Sequence, residues 1–235
     1  MKDIELQIIS IGGGGFGRNP NHPIIEQYIL NQSKITSPNI CFIPTASAEE
    51  KSYIVNFYKA FSKLDCTPTH LNLFERTPNL RSIMNKQDII YVGGGNTKSM
   101  LAVWKEWKLD VLLKKAYLKG TILSGVSAGS ICWYDKGITD SWASNLSIMD
   151  CLGFVKGNNC PHYDGEKNRR PSVHEFIKTN KINSCYASDD GAAIHFKNGK
   201  IYKSISFYKD AKSYLVKSNA NDEISEEEIP GISLI

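Results

Sequence analysis

A serine between small residues is the first feature of the sequence that can do chemistry. Residues 125–129 are Gly-Val-Ser-Ala-Gly and lie between an apolar run and a stretch of helical character. This is the setting of a nucleophile elbow, whose tight strand-to-helix turn lifts a serine hydroxyl out of a sheet. The turn requires small neighbours, which Gly125, Ala128 and Gly129 are. The pattern predicts Ser127 as a nucleophile; a glycine-rich helix start capped by that serine is the alternative.

A base and an orienting group are needed to activate this serine, because a free hydroxyl is a weak nucleophile. His162 is the histidine best placed to be the base, since it lies in a loop after a short strand, where it can reach a substrate. Two acids, Asp189 and Asp190, follow a later strand and precede Gly191, so either can orient the base. An ordinary Asp-Gly turn is the alternative for this pair.

Two further glycine clusters lie at strand ends. Residues 93–95 are all glycine and precede Asn96, and one of their N–H groups can complete an oxyanion hole with that of Ala128. Residues 12–17 contain the spacing G-x-G-x-x-G, but the second strand lacks the acid at its end that a dinucleotide-binding fingerprint requires. We therefore expect residues 12–17 to form a loop beside the active site.

The elements that must position these residues alternate through the first half of the chain, where short apolar runs separate segments of helical period. The predicted strands are Leu6–Ile11, Ile40–Ile43, Thr69–Phe74, Asp88–Val92 and Thr121–Ser124. The predicted helices are Pro23–Asn31, Glu49–Leu64, Thr97–Trp107 and Val111–Lys119. This alternation predicts an α/β fold with a mostly parallel sheet, helices on both faces, and sites at the carboxyl ends of strands.

The pattern changes in the C-terminal third. A helix is predicted at Pro171–Thr179, and the predicted short strands are Ser184–Ala187, Ala192–Phe196, Lys200–Lys203 and Ser213–Val216. Asn198-Gly199 predicts a hairpin turn between two of them. We expect extra antiparallel strands appended to the parallel sheet. They belong to a single domain, residues 1–235, that ends in a loose polar tail at residues 217–235.

The composition is that of an ordinary globular protein, with 235 residues, 41% hydrophobic and 22% charged, and a net charge of +4. The absence of a long basic block argues against nucleic-acid binding. The six cysteines are irregularly spaced without a C-x-x-C pair, so we expect free thiols and no metal site. The N-terminus is unlike a signal peptide, and no apolar run approaches the ~18 residues of a membrane span, which predicts a cytoplasmic protein without membrane contact.

Three segments, in their order and spacing, resemble peptidase family S51, whose members include dipeptidase E and the cyanophycinases. The segments are Val92–Thr97, Gly125–Gly129 and Pro161–Tyr163, and the resemblance covers roughly residues 5–200. It implies a fold like that of class I glutamine amidotransferases, with serine replacing the nucleophilic cysteine. It also implies a serine peptidase that hydrolyses short peptides or dipeptides through an acyl-enzyme, without a metal or organic cofactor.

The resemblance also implies catalytic roles for individual residues. Ser127 matches the nucleophile, His162 the general base and Asp190 the third member, which is Glu in dipeptidase E. The backbone N–H groups of Gly94 and Ala128 match the donors of the oxyanion hole.

Substrate contacts follow from the same resemblance. The residues implied are Asn96, Asp140 and Arg169, with Arg170 as an alternative to Arg169. The sequence around Asp140 and Arg169 departs from dipeptidase E, which argues against strict aspartyl specificity. The sequence leaves a homodimer open.

Two other functions compete with this hypothesis. An α/β-hydrolase esterase has the chain order serine, acid, histidine, so it would use Asp164 and His195. The order Ser127, His162, Asp190 argues against it. The other competitor is a binding module with an amidotransferase-like fold and no catalytic activity.

Overall fold

Strands and helices alternate as expected in the computed structural model, which describes residues 4–76, 79–141, 145–219, 221 and 223–235. In chain order the strands are β1 (Gln7–Ile11), β2 (Asn39–Ile43), β3 (Thr67–His70), β4 (Ile89–Val92), β5 (Ile122–Val126), β6 (Tyr134–Thr139), β7 (Ser147–Asp150), β8 (Val155–Cys160), β9 (Ser184–Ser188), β10 (Ala192–Lys197), β11 (Lys200–Ser206), β12 (Ser213–Ser218), β13 (Ile224–Glu228) and β14 (Gly231–Ser233). The helices are α1 (Ile24–Leu30), α2 (Lys51–Phe61), α3 (Leu80–Met84), α4 (Thr97–Trp107), α5 (Leu109–Leu118), α6 (Ala128–Ile131) and α7 (Arg169–Lys178).

These strands form two sheets. The larger has the order β14-β11-β10-β1-β5-β4-β2-β3, and the smaller has the order β13-β12-β9-β8-β6-β7. In the larger sheet β10 is antiparallel to both β1 and β11, while the other pairings are parallel. The predicted mostly parallel sheet is confirmed.

Helices cover both faces of the larger sheet. Successive side chains of a strand point to opposite faces, so neighbours in one strand enter different cores. Ile8 shares an apolar cluster with Trp104 of α4 and residues of α5. Ile9 belongs to a second cluster with Ile25 of α1 and Phe57 of α2. This arrangement confirms the predicted helices on both faces.

The extra antiparallel strands are also present. β10 and β11 form a hairpin whose turn residues, Asn198 and Gly199, have φ of 52° and 75°. Positive φ at both positions is what a two-residue hairpin turn requires, and Asn-Gly adopts it at low cost. β12 pairs antiparallel with β9 and β13 in the smaller sheet, where α7 covers an apolar cluster that includes Val173 and Cys185.

The expected loose tail is the main difference from the sequence prediction. Within residues 217–235 the chain forms β13, paired with β12, and β14, paired with β11. The acidic strand β13 has side-chain partners on α7, because Glu226 forms an ion pair with Arg170 and a hydrogen bond with the ring of His174, both at 2.7 Å. Composition alone does not reveal such partners, so the acidic residues resembled a solvated tail.

A helix that crosses a bilayer needs about 20 predominantly apolar residues. Among the described residues, no helix combines the length and the apolar character needed to cross a membrane.

Candidate active site

The turn at Ser127 joins β5 to α6. Ser127 has φ 57° and ψ −112°, a conformation of the kind that costs an L residue about 1–3 kcal/mol and is concentrated at functional sites. A Cβ on Gly125 would lie 2.3 Å from the carbonyl oxygen of Gly129, and one on Gly129 would lie 2.2 Å from that of Val92. The requirement for small neighbours around this serine is therefore confirmed.

Ser127, His162 and Asp190 form a chain of hydrogen bonds. His162 follows β8, and its Nε2 lies 2.9 Å from Oγ of Ser127. Nδ1 of the same buried ring lies 2.5 Å from Oδ1 of Asp190, which follows β9. A carboxylate on Nδ1 keeps the ring proton there, so Nε2 is free to accept the proton of a serine hydroxyl. His162 also has a positive φ of 53°, so two of the three residues have an unusual backbone conformation.

The adjacent acids Asp189 and Asp190 have different surroundings. The hydrogen bond from His162, assisted by the Arg18 guanidinium, lowers the pKa of Asp190 to about 2. Asp189 instead accepts a hydrogen bond from the backbone N–H of Lys212 at 3.0 Å, and burial raises its pKa to about 6. Of the two acids that the sequence left open, the structure brings Asp190 to the histidine.

The glycine-rich loop after β1 packs against these residues, as expected. The carbonyl oxygen of Gly13 accepts a hydrogen bond from the N–H of Gly191 at 2.9 Å. A Cβ on Gly13 would lie 1.8 Å from Oδ1 of Asp190, so only glycine allows the loop to approach this closely. Beyond the glycines, Arg18 forms an ion pair with Oδ2 of Asp190.

A buried carboxyl group anchors the same loop from behind. Glu26 of α1 is fully buried, and its Oε1 accepts a hydrogen bond from the backbone N–H of Phe16 at 2.6 Å. Burial raises the pKa of Glu26 to about 7. The loop is therefore held by a group that titrates close to neutral pH.

A cavity of about 370 Å³ opens beside Ser127 and His162. Its lining includes Gly94, at which a Cβ would lie 3.3 Å from Cβ of Ser127. The N–H of Gly94 donates a long hydrogen bond of 3.4 Å to the hydroxyl of Tyr53, another lining residue. Burial raises the pKa of Tyr53 to about 12, so the hydroxyl stays neutral. Ala128 is the first residue of the single-turn helix α6, so its N–H has no acceptor within that helix.

Other catalytic arrangements are not assembled within the described residues. His195 is buried in β10, where its ring bonds to the hydroxyl of Tyr28 at 2.8 Å and to Oε1 of Gln7 at 2.9 Å. Asp164 accepts a hydrogen bond from the backbone N–H of Asp190 at 2.8 Å. The pairing of Asp164 with His195 that an α/β-hydrolase would need does not form in this part of the chain. Nor do the described residues contain three or more His, Cys, Asp or Glu side chains grouped to hold a metal ion.

Comparison with known proteins assigns the family. The sequence profile of peptidase family S51 matches residues 8–204 of the chain. The chain belongs to peptidase family S51. It is therefore a serine-type peptidase. This S51 peptidase is 49% identical over 225 residues to the uncharacterized peptidase YgaJ of Bacillus subtilis, an alignment that covers 95% of this chain and 97% of that protein. It is 25% identical over 172 residues to Peptidase E of Pasteurella multocida, covering 67% of this chain and 71% of that protein.

Solved structures share the fold of the S51 peptidase. A putative Peptidase E protein from Listeria monocytogenes superposes with a TM-score of 0.65 at 22% identity, over 87% of this chain and 100% of that chain. A peptidase from an acI-B1 Actinobacterium superposes with a TM-score of 0.71 at 14% identity, over 96% of this chain and 94% of that chain. The predicted α/β architecture is thus that of known peptidase structures.

The three residues predicted to bind substrate lie apart from the cavity lining described above. Asn96 caps α4, and its side-chain amide donates a hydrogen bond to the carbonyl oxygen of Ser141 at 2.5 Å. Arg169 is buried, with Nε bonded to Glu166 at 2.6 Å and Nη2 3.7 Å from the largely exposed Asp140. Substrate contact by Asn96, Asp140 and Arg169 stays a prediction.

The sequence did not single out several residues that line the cavity of the S51 peptidase, and two of these lie close to the proposed catalytic groups. Arg18 and Tyr53 both border the cavity beside Ser127. An arginine directly after a glycine-rich strand end is a usable signal for Arg18, because such ends face the site. Tyr53 lies in the first turn of an amphipathic helix, where its hydroxyl cannot be told from that of a surface tyrosine.

Proposed function

We propose that this protein hydrolyses short peptides through an acyl-enzyme on Ser127, with His162 as general base and Asp190 as the orienting acid. The single observation that supports this most is the pair of hydrogen bonds of the His162 ring, 2.9 Å to Ser127 and 2.5 Å to Asp190. Nucleophile, base and orienting group within hydrogen-bond reach of one another are the signature of nucleophilic catalysis.

In each half of the proposed reaction, the imidazole of His162 accepts one proton and then donates it. Oγ of Ser127 attacks the peptide carbonyl carbon while Nε2 of His162 accepts the hydroxyl proton. The tetrahedral intermediate collapses when His162 returns that proton to the leaving amine, which departs as the C–N bond breaks. Water then attacks the acyl carbon while Nε2 of His162 takes one of its protons. The ester C–Oγ bond breaks, the carboxylic acid product leaves, and the imidazole gives that proton to Oγ of Ser127. Asp190 remains a carboxylate throughout and stabilises the imidazolium.

The negative oxygen of each tetrahedral intermediate is placed at the N–H groups of Gly94 and Ala128. One such donor contributes about 10²–10³ in kcat in serine peptidases. The N–H of Gly94 donates to the hydroxyl of Tyr53 at 3.4 Å, a long bond to a neutral acceptor. A charged oxygen displaces such an acceptor because hydrogen bonds to ions are about twice as strong.

The size of the cavity supports a short peptide as substrate. Its volume of about 370 Å³ is at the small end for ligand pockets, which span about 300–1,000 Å³. A dipeptide or slightly longer peptide fits this space, whereas an extended chain needs a groove.

A Ser127→Ala variant tests the proposal. It should lose hydrolysis of every peptide found in a dipeptide library screen, and it should also lose labelling by a fluorophosphonate probe. Because the alanine is smaller and fits the turn, the thermal unfolding temperature should be retained. A variant that keeps the wild-type hydrolysis rate would refute Ser127 as nucleophile. An unlabelled, inactive wild-type protein would instead favour a binding module.

A further inference from the structure

We propose that Arg18 binds the α-carboxylate of the substrate residue that leaves, so that the protein prefers peptides cleaved next to a free C-terminus. This inference rests on the proposed function of Ser127 and His162. Arg18 lines the cavity beside both residues, and its side chain is 61% exposed. Among the described residues of the lining, it is the one permanent cation.

The guanidinium of Arg18 is only partly occupied. One nitrogen, Nη1, donates to Oδ2 of Asp190. Within the described residues the remaining N–H groups of its side chain have no protein partner. A guanidinium carries five donors in a planar fork that matches a carboxylate in bidentate geometry. Arg18 can therefore keep its contact with Asp190 and still bind a second carboxylate.

Arg169, the arginine that the family resemblance implies as a substrate contact, already has a partner facing each guanidinium nitrogen. Its guanidinium is buried and donates to Glu166 at 2.6 Å and to the carbonyl oxygen of Ile138 at 2.8 Å. The third nitrogen faces Asp140 at 3.7 Å. A substrate carboxylate would have to displace an existing acid there, whereas at Arg18 it meets free donors.

The position of Arg18 determines which carboxylate of a peptide substrate can bind it. The imidazole of His162 must reach the leaving nitrogen, so the leaving residue lies on the imidazole side of the site. Asp190 connects Arg18 to that same imidazole through its two carboxylate oxygens. In a dipeptide, only one carbon separates the leaving nitrogen from the α-carboxylate. The carboxylate of the leaving residue thus lies next to the proton donor and on the side of Arg18.

Glu50, the acidic residue of the cavity lining, does not compete with a substrate carboxylate for Arg18. Glu50 caps α2, where its carboxylate accepts hydrogen bonds from the backbone N–H groups of Ser52 and Tyr53 at 2.9 and 2.7 Å. It also accepts one from the hydroxyl of Ser52 at 2.6 Å. Glu50 is therefore committed to the helix end, and Arg18 is left as the group that recognises charge.

The test compares a dipeptide with its C-terminal amide. Binding is measured by titration calorimetry in the Ser127→Ala background, and kcat/KM is measured with Ser127 present. With Arg18 intact, the free acid should bind and react at least about tenfold better than the amide. Arg18→Gln should bring the acid-to-amide ratio close to one. Disturbance of Asp190 in this variant slows both substrates equally, so the ratio isolates carboxylate binding.

Arg81→Gln is the matched control, because Arg81 is an exposed arginine of α3 outside the cavity, and its ratio should equal that of the parent. An unchanged ratio in Arg18→Gln would overturn the proposal. So would a result in which Arg18→Gln removes only a preference for acidic side chains among amidated peptides. A third outcome separates the two proposals. If binding depends on Arg18 but the protein that retains Ser127 does not hydrolyse the peptide, the proposed function is wrong and the carboxylate site still stands.

Discussion

Gly13→Ala tests the contact between the glycine-rich loop and Asp190, the proposed orienting acid. The added Cβ would lie 1.8 Å from Oδ1 of Asp190 and 2.8 Å from Nδ1 of His162. An ordinary contact begins near 3.4 Å, so the carboxylate must retreat by about 1.6 Å. That retreat breaks the 2.5 Å bond to the imidazole, because the methyl group occupies the space between loop and acid.

The expected loss of activity follows from this displacement. A misplacement of about 1 Å costs about 10²-fold in rate. Loss of the orienting acid in a serine peptidase costs about 10⁴-fold. Gly13→Ala should therefore lower kcat by about 10²- to 10⁴-fold, which corresponds to about 3–5 kcal/mol of activation free energy. The same variant should be labelled more slowly by a fluorophosphonate, since labelling also needs an activated Ser127.

Gly165→Ala is the matched control for this prediction. Its Cβ would approach the same carboxylate from another side, at 3.2 Å from Oδ2 of Asp190, a contact that shifts of a few tenths of an ångström relieve. Neither Gly13 nor Gly165 has a positive φ, so backbone strain does not enter the comparison. Gly165→Ala should keep its activity within a few fold. Near wild-type activity in a folded Gly13→Ala protein would refute the contact as the reason for glycine.

Two further predictions concern carboxyl groups. Asp190→Asn should lower kcat by about 10³–10⁴-fold. Asp189→Asn should change kcat only a few fold, because Asp189 bonds to Lys212 and not to the imidazole. Equal losses of kcat in steady-state kinetics would contradict this prediction. The pKa of Glu26 is raised from 4.5 to about 7, so its stabilising protonated form is lost as pH rises through 7. Between about pH 5 and pH 8 the wild-type protein should lose about 2–3 kcal/mol of unfolding free energy relative to Glu26→Gln, as measured by urea titration. If the unfolding free energies of the two proteins change in parallel with pH, the prediction is wrong.

Local pattern was enough to predict the parallel sheet and the serine turn. The strands β1, β2, β4 and β5 are buried and mainly apolar, and a run of that kind is recognisable without its neighbours. The small residues around Ser127 are required by contacts within a few residues or with the adjacent strand. His162 and the pair Asp189 and Asp190 were identified because they follow strands of the same architecture, and the family resemblance pointed to Asp190 within the pair.

Long-range pairing explains what the sequence did not reveal. Arg18 and Asp190 are 172 residues apart, so nothing near either one indicates their ion pair. Glu226 of the acidic strand β13 contacts Arg170 and His174 of α7, more than 50 residues earlier. β6 and β7 are short and largely polar at their ends, which gave no clear alternation. The family resemblance implies Arg169 as a substrate contact, which stays a prediction, while its burial against Glu166 is not visible in the sequence.

The central place of β1 in the larger sheet has a consequence for biosynthesis. β1 pairs with β10, with Gln7 opposite Lys197 and Ile11 opposite Ala193. This pairing cannot form until β10 has been synthesised. Gly13 and Asp190 likewise meet only after both have left the ribosome. Contacts of such large sequence separation form late and slowly. A nascent chain therefore carries Ser127 before Asp190 has emerged, so under the proposed mechanism the chain gains activity only after β9 and β10 have been synthesised and packed.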